Sequence, residues 1–257
     1  MKGSVAVGLA LIVSLSGARG ALYNGNGSTS FGGAVGTGSL TLTDNGTTVS
    51  GTFTRGTGGT GTFLDVLVIF IDSKSGGFSS SLGFTDSSTR LTRAISGLDG
   101  SGNRATADFA SGFNADYAIA LRPRSAADPG TLFQLVNNGT HIVLNSVNIS
   151  PTGTDTSSAY TFSFNLSDIG VTGGQGASIR FESSYLSDTG FRSLESFESL
   201  SGNTGWDSVT FSTYDTYITA VPETTQSALA VFSGIVIGFG FLRQARRMIW
   251  EKDVGDR

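Results

Sequence analysis

Four acidic residues crowd one stretch of the last third of this chain: Glu182, Asp188, Glu195 and Glu198. Hydrolysis of a glycosidic bond uses two carboxyl groups about 5 to 9 Å apart across the bond, so this cluster is the densest source of an acid–base pair. A solvated loop face accounts for the same residues and is the reading their context favours. Asp65 and Asp72 are seven positions apart, so on one strand they point to opposite faces and form no pair by themselves. Asp72 precedes Ser73-Lys74-Ser75-Gly76-Gly77, where a carboxylate either caps the turn or joins loop carbonyls around calcium. Asp116, before Tyr117, has the same two roles. Among the aromatics, Tyr185, Phe191, Trp206 and Tyr214 share the last third, with Trp206 closing the turn-like Gly202-Asn203-Thr204-Gly205. Exposed, such rings stack on the apolar faces of sugars; buried, they fill a core. Trp206 and Tyr185 are therefore the candidate ligand-binding residues. His141 follows the turn Asn137-Asn138-Gly139-Thr140 with no Gly-x-Ser-x-Gly pattern near it, and reads as an edge or surface histidine.

Composition removes several function classes. The 257 residues include no Cys and one His, which excludes a disulfide framework, a thiolate zinc site and any centre needing two imidazoles. Charged residues are 14%, against about 25% in ordinary globular domains, and no basic excess points to nucleic acid. Between Ala21 and Pro222 there are nine Lys and Arg against 16 Asp and Glu, so the body carries about −7 while the whole chain carries −4.

The elements that must position these residues are strands. Tyr160, Phe162, Phe164 and Leu166 alternate with Thr161, Ser163 and Asn165, giving one face to a core and one to water. Leu40 and Leu42, then Val49 and Phe53, flank Asp44-Asn45-Gly46, a hairpin signal. Leu64 to Ile71 is almost wholly apolar and β-branched, a central strand buried on both faces. Further strands are expected at Tyr117 to Leu121, Leu132 to Val136, Ile142 to Ile149, Ile179 to Leu186 and Val209 to Phe211. No 12-residue window of the body has helical periodicity; Asn165 to Gly170 has room for one helical turn capped by Ser167. Asn24 to Gly38 reads as a loose lead-in, and Thr213 to Pro222 as a linker. Nine or ten strands with Gly, Ser, Asn and Asp turns imply an all-β fold, an antiparallel β-sandwich of jelly-roll-like form, with a Phe-rich core.

Both chain ends are apolar. Met1-Lys2, the apolar run Val5 to Leu15 and the small residues Ala18 and Gly20 form an N-terminal signal peptide over residues 1–20. Residues 21–220 form the sandwich. At the other end stand Val221-Pro222-Glu223, an apolar run from Ser227 to Leu242, and Arg243, Arg246 and Arg247. A 16-residue helix over 227–242 spans about 24 Å, and the basic flank holds a cytoplasmic tail, residues 248–257, on the inner side. This ordered set resembles the PEP-CTERM sorting signal, here over 221–247 with Thr224 where the family usually has a second Pro. The resemblance implies a Gram-negative bacterium that makes exopolysaccharide, and an exosortase-type enzyme that recognises the Pro-Glu region and removes the tail.

A second resemblance covers most of the body. Asp65 to Asp72, Gly76-Gly77-Phe78, Gly112 to Tyr117, Leu132 to Leu135 and Phe164 to Gly170 occur in an order similar to that of DOMON and family-9 carbohydrate-binding-module sandwiches. That likeness implies a binding or structural sandwich. The expectation is an exported, non-enzymatic protein, anchored transiently in the membrane, then delivered to the cell surface or extracellular matrix, with polysaccharide as a partner and no cofactor beyond calcium at Asp72 and Asp116. Its rivals are a calcium-dependent polysaccharide hydrolase and a stably anchored single-pass membrane protein of binding function.

Overall fold

A computed structural model describes residues 20–57, 62–124, 129–144, 153–173 and 176–220. The expected signal peptide up to Arg19, the Val221-Pro222-Glu223 motif, the 227–242 segment, Arg243, Arg246, Arg247 and the expected tail lie outside these residues. So do 145–149, the end of the strand expected over Ile142 to Ile149; within the described part that strand is Ile142–Val143.

The described residues form a mostly β, sandwich-like fold. In chain order the strands are β1 (Ala21–Asn24), β2 (Ser39–Asp44), β3 (Thr48–Thr54), β4 (Val66–Asp72), β5 (Ala107–Asp108), β6 (Tyr117–Leu121), β7 (Gly130–Gln134), β8 (Ile142–Val143), β9 (Ala159–Asn165), β10 (Ser178–Leu186), β11 (Leu200–Gly202), β12 (Val209–Phe211) and β13 (Asp215–Ile218), with one helix, α1 (Arg90–Ser96). They make a four-stranded sheet β1-β2-β3-β9, a six-stranded sheet β13-β10-β4-β6-β7-β8 and a small sheet β11-β12-β5. Pairing is antiparallel except between β12 and β5.

The six-stranded sheet is the middle layer, and its side-chain period of two divides β4 between two cores. Leu67, Ile69 and Ile71 join the core shared with Leu40, Val49, Phe53, Tyr160 and Phe162 of the four-stranded sheet. Val66, Val68 and Phe70 join a second core with Leu91, Ala94 and Ile95 of α1 and with Ala107, Val209 and Phe211. Burial on both faces is why this strand is a continuous apolar run. The four-stranded sheet covers a core with one face only, so β9 alternates as its sequence predicts, with Tyr160, Phe162 and Phe164 buried and Thr161 and Asn165 exposed.

One short helix adds to the expected strands, and two expectations are corrected. The helix α1 is seven residues long, too short for a periodicity search, and is fixed by its ends: Thr89 and Thr92 form a capping box and Gly97 closes it in the left-handed region. The turn at Leu166–Ile169 is 3-10, and it begins after Asn165, whose N–H meets the Asp168 carboxylate; Ser167 does not cap it. Asn24 to Gly38 is not loose. Its backbone closes on itself (Gly25 N–H to Gly38 O, 2.9 Å; Gly27 N–H to Gly36 O, 2.7 Å), and Val35 is fully buried. A side chain at Gly36 would place its Cβ 2.0 Å from Ser28 O, so the glycine permits backbone to lie on backbone.

The expected linker is also part of the fold. β13 pairs with β10 from Asp215↔Phe181 to Ile218↔Ser178, and Thr219 N–H donates to Ala177 O at 3.0 Å.

Candidate functional site

Glu195 organises one end of the sandwich. It is completely buried, and its carboxylate accepts four backbone N–H groups of the glycine-rich loop: Phe31 (2.7 Å) and Gly33 (2.9 Å) on Oε1, Val35 (2.9 Å) and Gly36 (3.2 Å) on Oε2. Charge-assisted bonds of this kind offset the desolvation of the carboxylate. Their geometric product is the position of Phe31. Its ring stacks on Phe191 at a centroid distance of 5.9 Å, and Phe191 meets the edge of Trp206 at 5.6 Å. Reciprocal bonds between the backbones of Arg192 and Gly205 (3.1 and 2.9 Å) hold the Trp206 turn against Phe191. Phe31, Phe191 and Trp206, all half-buried, make an aromatic ledge from three separate loops.

The two candidate ligand-binding rings therefore differ. Trp206 keeps part of its surface in water. Tyr185 does not: it is 1% exposed, packs on Phe63 and Phe31, and its hydroxyl accepts from Asp65 N–H. Tyr185 is a core residue, because both faces of β10 are covered. Tyr214 is half-buried beneath Arg180, whose guanidinium lies 5.2 Å from the ring centre.

The acidic cluster is not a solvated loop face. Glu182, Glu195 and Glu198 are all buried. Glu198 Oε2 accepts from Ser183 N–H (2.8 Å), Ser183 Oγ (2.8 Å) and Ser196 Oγ (2.6 Å), while Oε1 has no partner among the described residues. Glu182 Oε1 accepts from Ala110 N–H at 2.9 Å, and its Oε2 is likewise without a partner there. Burial pushes the Glu182 carboxyl up to about 9, with the charge on Glu198 adding to it, and the Glu198 carboxyl up to about 7. Asp188 is the outlying member, an acceptor for Arg122 (3.0 Å) and Arg90 (3.5 Å). The cluster thus lies within the fold, with no two of its carboxylates facing each other across an open groove.

Asp72 and Asp116 meet at one end of the middle sheet. Asp72 Oδ2 accepts from Asn114 N–H (3.2 Å) and lies 3.4 Å from Arg180; Asp116 Oδ2 accepts from the N–H groups of Ser73 and Lys74 (both 3.2 Å). These are turn-capping contacts. Among the described residues no three His, Asp or Glu side chains gather as a metal centre. Asp65 is half-buried, and burial, aided by the charge of Asp188, pushes its carboxyl up to about 6.

His141 is a buried residue, not an edge one, and sequence reasoning missed its neighbours. Its Nε2 lies 3.2 Å from Ser96 Oγ, its Nδ1 accepts from Val136 N–H, and its backbone N–H donates to Asp86 Oδ2 at 2.9 Å. Ser, His and Asp meet here, but the wiring is not that of a catalytic triad. Nδ1 accepts, so Nε2 carries the proton, donates to Ser96 and has no lone pair to act as its base. Burial lowers the imidazole to about 4, keeping it neutral. No short-range sequence signal foretold this site, since α1, the Asp86 turn and β8 meet only in the tertiary fold.

No family model matches this sequence, and no curated protein is significantly similar to it.

Proposed function

We propose that this chain is an exported, non-enzymatic surface or extracellular-matrix protein of a Gram-negative bacterium. In this reading it is sorted through its PEP-CTERM-like tail by an exosortase-type enzyme, and its jelly-roll-like body associates with exopolysaccharide. The tail reading rests on the order Val221-Pro222-Glu223, the apolar run 227–242 and Arg243, Arg246 and Arg247. The observation that carries the carbohydrate role is the ledge: a half-buried Trp206 directly after Gly205, whose N–H and C=O are both bonded to Arg192. Rigid loops present an aromatic face at low ordering cost, and an acidic body of −7 suits a neutral polymer better than an anionic one.

The test is affinity electrophoresis of the full chain through gels containing a panel of neutral polysaccharides, beside Trp206→Ala. Retardation by at least one polymer, lost in the variant, supports the reading. Retardation by none, or equal retardation of both, overturns it. The sorting half is tested separately by mass spectrometry of the surface-exposed protein: a tryptic peptide from beyond Arg247 there rejects removal of the tail.

A further inference from the structure

We infer that Asp44 is a latch on the exit strand β13, and that residues 213–220 exchange between a docked strand and a released tether. Asp44 occupies an inward-facing position of β2, in series with Leu40 and Leu42, where the alternation calls for an apolar residue; it is 5% exposed. Its carboxylate caps its own hairpin turn, Oδ1 accepting from Gly46 N–H at 2.7 Å, and also holds the far end of the described chain. Oδ2 accepts from Tyr217 Oη at 2.5 Å, and Ala220 N–H reaches Oδ2 at 2.8 Å and Oδ1 at 3.1 Å. These contacts bridge 173 and 176 positions of sequence.

Beyond the ladder, Thr219 (2% exposed) ties the segment to the residues just before β10: its N–H donates to Ala177 O at 3.0 Å, its Oγ1 accepts from Ala177 N–H at 2.9 Å and its O from Gly176 N–H at 3.2 Å. β13 is four residues long, at the edge of its sheet, with β10 as its one strand partner among the described residues. Within β13, Tyr217 alone is buried well, at 2%; Asp215 is half-buried, and Ile218 is 58% exposed. Besides the ladder, one bond from Tyr23 Oη to Thr216 O (2.9 Å) ties it to the opposite sheet. A short edge strand with a single buried ring belongs to the part of a fold that opens before the rest, so the contacts at Asp44 and at Thr219 set its opening, and of the two Asp44 is the one that reaches across from the other sheet. Docked, the chain leaves the sheet at Ala220 without slack. Released, eight residues give a tether of about 26 Å at about 3.3 Å each. The latch concerns only residues of the sandwich and stands whether or not the tail is a sorting signal; if it is, the latch sets how freely Val221-Pro222-Glu223 reaches its enzyme.

Amide hydrogen exchange on the full chain tests this with Asp44→Ala, a substitution that an inward strand position accommodates. The expected result is exchange faster by about tenfold or more in 213–220, with 66–72 and 117–121 unchanged, and a new protease cut within 213–220. Unchanged exchange in 213–220, or equal loosening of the whole sandwich, overturns the inference. Tyr217→Phe removes one bond and keeps the ring; it decides by the same pattern, with a smaller change, if Asp44→Ala gives no folded chain.

Discussion

Gly33 and Glu195, 162 positions apart, are joined by a 2.9 Å bond from the glycine N–H to Oε1. Three further N–H groups of the same loop converge on that carboxylate. The loop has no helix or sheet ladder to take those donors, so a single side chain satisfies them.

Removing it leaves several buried donors unpaired at about 1–3 kcal/mol each. Glu195→Ala is expected to lose about 3 kcal/mol or more in urea unfolding. Glu195→Gln keeps the shape but presents an amide NH2 to two of the donors, and is expected to lose a comparable amount. Full stability in either variant contradicts the role assigned to the carboxylate.

What was legible in the sequence depended on which side of a strand meets water. β9 and the β2–β3 hairpin each pack one face, so their alternation was readable. β4 was readable because it packs both. On β10 the same two-sided burial takes in polar residues: Glu182, Ser183 and Ser184 are buried with Tyr185. Glu195 was read as solvated because a charge ordinarily is, and its partners lie at the other end of the chain. Glycines in 25–38 suggested looseness, yet at Gly36 the missing side chain is what allows close packing. Thr213 to Pro222 reads as a linker because an edge strand needs few apolar residues. Trp206 was placed correctly in a turn; the two phenylalanines that support it come from elsewhere in the chain.

The buried acids predict an inverted pH dependence. The Glu198 and Glu182 carboxyls stand at about 7 and about 9 in the fold, both above the usual value near 4.3 for an unfolded chain. Between those limits the folded state holds more protons than the unfolded one, so stability falls as pH rises from about 4.5 through 7 toward 9. Chemical denaturation at pH 5, 7 and 9 is expected to show a downward trend. Glu182→Gln, which resembles the protonated acid, is expected to flatten it. A wild-type stability that rises with pH across this range rejects protonated Glu182 at neutral pH.

His141 works in the opposite direction and can be observed alone. Its folded value near 4 lies below the ordinary 6.5. The unfolded chain therefore binds the extra proton first, and this contribution to stability is lost as pH falls from about 6.5 to 4. As the chain holds a single His, one imidazole resonance set reports it in NMR. The expected spectrum at pH 5.5 is a neutral ring protonated on Nε2. An imidazolium at that pH, or a proton on Nδ1, contradicts the bond from Val136 N–H and reopens Ser96 to activation.

Gly51 tests how tightly the sandwich core is filled. It faces inward on β3, directly across from Phe162 of β9, and the phenyl ring lies over it. A Cβ at Gly51 would fall 2.1 Å from Phe162 Cζ. The ring is 3% exposed, and the void beside it, lined by Leu40, Leu42, Ile119 and Phe162 among others, is about 20 Å³, room for one water and not for a displaced phenyl. Gly51→Ala is therefore expected to cost about 1–3 kcal/mol by overpacking. Phe162→Leu leaves space of its own and costs stability alone. Joined with Gly51→Ala it makes room for the new methyl, so the double variant is expected to be less destabilised than the two single losses added together. Strict additivity in urea unfolding shows that the ring yields freely and that the contact across β3 and β9 does not limit the core.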